Sequence, residues 1–86
     1  MFAVYVLYSK TFDKIYIGYS SNIVQRLLSH NELGTKGYTF KYRPWDLAYV
    51  EEFETKKEAI NREKQLKTAK GREFVWNIVE LKYKSG

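Results

Sequence analysis

Glu63 disturbs the pattern around it more than any other residue. It lies four residues after Ala59, three after Ile60 and three before Leu66. It therefore shares the apolar stripe of a helix drawn through that segment and points toward the body of the domain. A carboxylate there needs a cation or strong hydrogen-bond donors. Lys67, four residues on in the favourable direction, would make it half of an ion pair, as would Arg26 from across the core. A hard divalent ion would serve as well, because Mg²⁺ is often held by one carboxylate with waters and a substrate phosphate.

Arg26 and His30 stand four residues apart and share one helical face, beside the apolar face of Ile23, Val24, Leu27 and Leu28. A guanidinium suits a phosphate because its planar fork donates two bonds at once. His30 is the single histidine, and an unperturbed pKa near ~6.5 permits proton transfer at neutral pH. The plain alternative is a solvated helix flank. Two tyrosines add hydroxyls: Tyr5 shares a strand face with Ala3 and Leu7, and Tyr16 shares one with Gly18. Glycine weakens a strand and often marks a close approach by a ligand or another backbone. An open glycine surface under two phenols would suit a phosphate or a water, against the alternative that both rings are ordinary strand filler. Residues 34–45 interleave Lys36, Tyr38, Lys41, Tyr42, Arg43 and Trp45. Cations neutralise phosphates and rings stack on exposed bases, unless Tyr42 and Trp45 fold back as core.

The elements that must position these residues follow from periodicity. Residues 2–9 are aromatic and β-branched, and residues 14–19 repeat that signature after a polar turn, which predicts an antiparallel hairpin. Ser20, Ser21 and Asn22 offer caps for a first helix that runs to about Asn31. Residues 34–45 are expected as a loop, and Leu47 to Phe53 as a third strand. Thr55 with Glu58 forms a capping box that opens a second helix, expected to reach about Lys70 and end at Gly71. Phe74, Val75, Ile78 and Val79 mark a third. The fold class is α+β: a three-stranded antiparallel sheet flanked by helices, in the order ββαβαα, as a single domain over residues 1–86.

Composition narrows the function. A chain of 86 residues without cysteine has neither disulfides nor a thiolate metal site, so side chains alone must fill its core. Hydrophobic residues at 44% and aromatics at 17% make that feasible. No stretch approaches the length of a membrane span. The apolar start, Met1 to Tyr8, reads as a first strand and not a signal peptide, so the cytoplasm is the expected location. Fifteen Lys and Arg against ten Asp and Glu leave +5. That balance favours a polyanion, nucleic acid before an anionic membrane surface.

These residues stand in a familiar order. Val4-Tyr5-Val6 and Tyr16-Ile17-Gly18 resemble the two signature tripeptides of the GIY-YIG nuclease family. The second is a literal match; the first keeps the central tyrosine. Arg26 and His30 fall at the family's helix positions, Glu63 at its metal-binding glutamate and Asn77 at its late asparagine, by a looser alignment. The resemblance covers nearly the whole chain. It is strongest over Arg26 to Asn31 and Glu58 to Lys67, which look like the short stand-alone bacterial members.

The resemblance implies a metal-dependent endonuclease that hydrolyses phosphodiester bonds of DNA, more than RNA, with structured or branched DNA in repair or recombination as its setting. One Mg²⁺ or Mn²⁺ would sit on Glu63. Tyr5, Tyr16, Arg26, His30 and Glu63 would be catalytic, with Gly18 and Asn77 in support. Lys36, Lys41, Tyr42, Arg43 and Lys67 would meet the nucleic acid. Arg26 would stabilise charge on the phosphate, and Tyr5 and Tyr16 would position the water. Tyr5 is the expected base, assisted by His30 or Tyr16, although a free phenol with a pKa of ~10 needs nearby cations for that task. Two rival readings are a non-catalytic nucleic-acid-binding module on the same fold and a small basic protein with a protein partner.

Overall fold

The computed structural model describes residues 1–33 and 37–84. Strand β1 (Phe2–Ser9) and strand β2 (Lys14–Ser20) form the expected hairpin, with Tyr5 opposite Gly18 and Leu7 opposite Tyr16. Its turn is closed by Asp13, which takes the left-handed backbone at φ 55. Asp13 N–H bonds the Ser9 carbonyl at 2.7 Å, and its carboxylate accepts from Tyr8 Oη at 2.7 Å. Short polar side chains tolerate that conformation.

Helix α1 (Ile23–Leu28) is capped by Asn22, whose side chain accepts from Gln25 N–H at 3.1 Å. It is shorter than expected. After Leu28 the chain widens into a π-helical turn, Ser29–Leu33. The stretch expected as a loop holds a short helix, α2 (Tyr38–Lys41), and strand β3 (Asp46–Phe53) follows. Helix α3 (Lys56–Leu66) begins at the expected capping box, with both Thr55–Glu58 bonds present.

The end of α3 corrects the sequence reading. It stops at Leu66, and α4 (Ala69–Val79) starts directly after its own cap, Thr68. Gly71 therefore lies inside α4 and caps nothing. A Cβ at Gly71 would run into the Gln65 carbonyl oxygen and the Leu66 backbone. Glycine is needed there so that the start of α4 can pass close to the end of α3. A second π-helical turn, Glu80–Lys84, follows α4.

The sheet is antiparallel in the order β2-β1-β3, so β1 is central and β2 has a free edge. Side-chain alternation gives it two faces. Val4, Val6 and Tyr8 look one way, with Ile15 and Ile17, into an aliphatic core shared with Ala59 and Leu66 of α3 and Val75 and Val79 of α4. Tyr5 and Leu7 look the other way, into a smaller core with Trp45, flanked by Ile23 and Leu27 of α1. Between Val6 and Leu7 the pairing to β3 slips, so that Val6 faces Tyr49 while Leu7 faces Leu47. This bulge lets Ala48 join the aliphatic core without disturbing Leu47 on the other face. Among the described residues no helix is long and apolar enough to cross a membrane.

Candidate active site

The hairpin, α1 and α3 converge on a cavity of about 380 Å³ along β2. Tyr5, Tyr16, Gly18, Arg26 and Glu63 all line it. Four of the five expected catalytic side chains thus meet in one space, and the fifth, His30, stands directly behind it.

Tyr5 is 1% exposed, and its Oη lies 3.0 Å from His30 Nε2. Its ring crosses to β2 over Gly18, where a Cβ would come within 2.7 Å of Tyr5 Oη and 2.9 Å of Cζ. The surface of Gly18 is therefore not an open floor for a ligand. It is the bed of the Tyr5 ring, an arrangement in which a cross-strand aromatic covers an edge glycine. Burial, with the Tyr16 phenol close by, pushes the Tyr5 hydroxyl well above its ordinary value of 10.0; the Arg26 charge opposes this more weakly. That direction favours the protonated phenol.

His30 belongs to the π-helical turn after α1 and is 9% exposed. That wide turn carries its ring off the α1 face and under Tyr5 and Tyr16, whose ring centroids lie 6.0 and 4.7 Å from it. A π-helical turn often serves such re-aiming at a functional site. Burial first, and the Arg26 charge second, hold His30 below its ordinary 6.5. At neutral pH both members of the Tyr5–His30 pair are uncharged. The His30 carbonyl accepts from Arg43 Nε at 3.0 Å, which fixes the turn from the far side.

Tyr16 is half-buried and faces the cavity beside Tyr5, with 6.2 Å between ring centroids. Arg26 sits in the last turn of α1 and is exposed. Among the described residues it forms no ion pair, so the expected alternative of an Arg26–Glu63 pair is not made.

Glu63 has an 18% exposed side chain and lies 3.8 Å from Lys67 Nζ. The pairing expected within α3 is present, but it is long, and the carboxylate still opens on the cavity. No cluster of three His, Cys, Asp or Glu stands among the described residues. A single carboxylate in a solvent-connected cavity is a poor cage for an ion that needs many protein ligands. It does fit one that keeps most of its waters and takes its remaining oxygens from a phosphate.

Sequence reasoning missed Lys56, which also lines the cavity. It is the first residue of α3, seven before Glu63. Two helical turns separate them, so the spacing itself was a usable signal. Arg26 and Lys56 leave the lining with more positive than negative charge.

The other expected residues are spread more widely. Lys36 lies outside the described residues. Lys41 is exposed, with its ammonium 5.4 Å from the Tyr42 ring centroid, and Tyr42 is half-buried against the core. Arg43 is turned inward: besides holding the His30 carbonyl, its guanidinium lies 4.7 Å from the Phe40 ring centroid. Trp45 is core at 2% exposure, its indole N–H bonded to the Thr39 carbonyl at 2.8 Å. Lys67 lines a neighbouring cavity. Asn77 is exposed on α4 and lines a separate depression with Lys70, Glu73 and Phe74.

The GIY-YIG catalytic domain model matches residues 1–77, which takes in both tripeptides, α1, α3 and most of α4. A UPF0213 protein of Staphylococcus saprophyticus is 38% identical over 65 residues, spanning 76% of this chain and 78% of its own. One from Bacillus velezensis is 38% identical over 66 residues, spanning 73% and 67%. One from Staphylococcus haemolyticus is 38% identical over 65 residues, spanning 76% and 78%. With two signature strands, a basic helix and a lone glutamate meeting at one cavity, and with the match extending over most of its length, the chain belongs to the GIY-YIG family.

Proposed function

We propose that this protein is an endonuclease that hydrolyses phosphodiester bonds of nucleic acid, DNA in preference to RNA, with one Mg²⁺ or Mn²⁺ at Glu63. The observation that carries the reading is the shared cavity of Tyr5, Tyr16, Arg26 and Glu63. A guanidinium and a carboxylate face two phenols across a space open to solvent, which is the complement of a phosphate, a cation and a water.

Glu63 would hold the ion, which, when bound, acts as a Lewis acid on the phosphate and its leaving oxygen. Arg26 donates to the non-bridging oxygens and stabilises the charge that grows as the phosphorus expands. Lys56 supports the same charge from the first turn of α3. Tyr16, the more exposed phenol, orients the attacking water. Burial holds the Tyr5 hydroxyl above its usual range, which disfavours a lasting phenolate. Tyr5 relays instead: its oxygen takes the water's proton while its own passes along the 3.0 Å bond to the neutral Nε2 of His30. This amends the expectation of Tyr5 as the base, with His30 as the final acceptor.

The test is a panel of labelled duplex, branched and single-stranded DNAs incubated with Mg²⁺, with Mn²⁺ or with EDTA. Cleavage should require the metal and should vanish in Glu63→Ala while binding persists. Salt-sensitive binding with no cleavage under any metal would instead favour the binding-module reading.

A further inference from the structure

A second cavity, about 220 Å³, lies farther along β2 and is lined by Ile15, Tyr16, Ile17, Tyr38, Lys67 and Arg72. It shares the Tyr16 wall with the first, and Lys67 reaches from it toward Glu63. We propose that this cavity is a subsite for a phosphate next to the scissile one on the same nucleic-acid strand, with Arg72 as its anchor. The proposal rests on the nuclease reading for which strand is bound, but the subsite has a signature of its own.

Arg72 is pre-aimed. Its Nε donates to the Lys67 carbonyl at 3.1 Å, which fixes the guanidinium at the junction of α3 and α4. Among the described residues it has no carboxylate partner. Its two Nη nitrogens are thus left to present a fork to an anion. Lys67 supplies a second cation, held only loosely at 3.8 Å from Glu63.

The opposite wall is equally fixed. Tyr38 donates its hydroxyl to the Ile15 carbonyl at 3.1 Å and stacks on Trp45 with ring centroids 5.9 Å apart. The cavity therefore sets two cations, Lys67 and Arg72, beside the phenols of Tyr16 and Tyr38. Contacts of this kind set the register of a strand without reading its sequence.

The alternative is that Arg72 merely braces the end of α3. To separate the two, binding of a fluorescein-labelled duplex is measured in EDTA over a salt series for wild type, Arg72→Gln and Arg72→Lys. A phosphate contact predicts that Arg72→Gln lowers the slope of log K against log salt by about one unit, whereas Arg72→Lys keeps it. With metal, Arg72→Gln should raise KM and leave kcat nearly unchanged. An unchanged slope in Arg72→Gln, with or without a fall in Tm, would overturn the subsite. Should Arg72→Gln not fold, neutral methylphosphonates placed one by one beside the cut site serve with wild-type protein. Weakened binding at one adjacent position supports the subsite, and a flat response overturns it. Cleavage by wild type together with an unchanged slope would remove the subsite alone. A reduced slope without any metal-dependent cleavage would remove the nuclease reading and leave the phosphate contact standing.

Discussion

The two faces of the sheet are built differently. Toward α3 and α4 the interior is mostly aliphatic: Val4, Val6, Ile15, Ile17, Ala59, Leu66, Val75 and Val79 are all buried. Toward α1 it is aromatic and polar: Tyr5, Leu7 and Trp45 pack with a buried His30, and α1 itself has no fully buried residue. The first face supplies cohesion, since apolar burial is non-directional and scales with area. The second supplies direction, because each hydroxyl, imidazole and indole N–H needs a partner in a fixed place. The cavity lies where the two layers meet along β2. Its phenols and Arg26 come from the polar side, while Glu63 comes from a helix held by the aliphatic side. The carboxylate is thus mounted on the aliphatic half and the proton-handling groups on the polar one.

Substitutions can break this contrast. The largest loss of stability should come from the aliphatic side. Leu66→Ala, at a residue 1% exposed, should cost about 2–5 kcal/mol in urea unfolding. A loss under 1 kcal/mol would show that this face is not the scaffold. Gly18→Ala comes next. Its Cβ would displace the Tyr5 ring, at about 1–3 kcal/mol, and cleavage should fall with it. Wild-type activity in that variant would show that the position of Tyr5 does not matter. Tyr5→Phe leaves buried His30 Nε2 without its partner and should cost about 1–3 kcal/mol. Tyr16→Phe should be milder in stability, since Tyr16 is only half-buried where Tyr5 is fully buried, yet comparably damaging to turnover. Equal stability losses would blur the distinction between the two phenols.

The pH dependence sharpens the same contrast. His30 titrates below its ordinary 6.5 in the folded protein because it is buried. Below that pH the unfolded chain binds a proton that the folded one resists, so ν_U exceeds ν_N and stability falls as pH falls. The contribution is complete above pH 6.5 and is lost as pH drops through the lowered folded value. Urea midpoints of wild type should decline across that window, ahead of the carboxylates, and His30→Gln should flatten the decline. An unaltered profile in His30→Gln would place the effect elsewhere.

Much of the aliphatic face was legible in the sequence. Aromatic and β-branched runs on either side of a polar turn named both hairpin strands, and the Thr55–Glu58 box placed the start of α3 within a residue. Its far end was not legible, because Gly71 reads as a stop signal locally and is in fact a packing requirement between two helices. The polar face was harder. The bond from Tyr5 to His30 joins residues 25 apart, and it depends on a π-helical turn that a regular 3.6-residue period does not foresee. Arg43 reads as a phosphate contact by type, and the bond from its Nε to the His30 carbonyl is one the sequence does not foresee. Lys56 was missed although its two-turn spacing from Glu63 was in plain view.

The account turns on Glu63 as the group that holds the ion against the phosphate, and single-turnover cleavage by Glu63→Gln under saturating Mg²⁺ tests this most directly. That variant keeps the volume and removes the charge. Its cleavage rate should fall by about 10²–10³ or more, with DNA binding in EDTA and thermal stability close to wild type. A rate within a few fold of wild type, in a protein that folds and binds normally, would contradict the assignment.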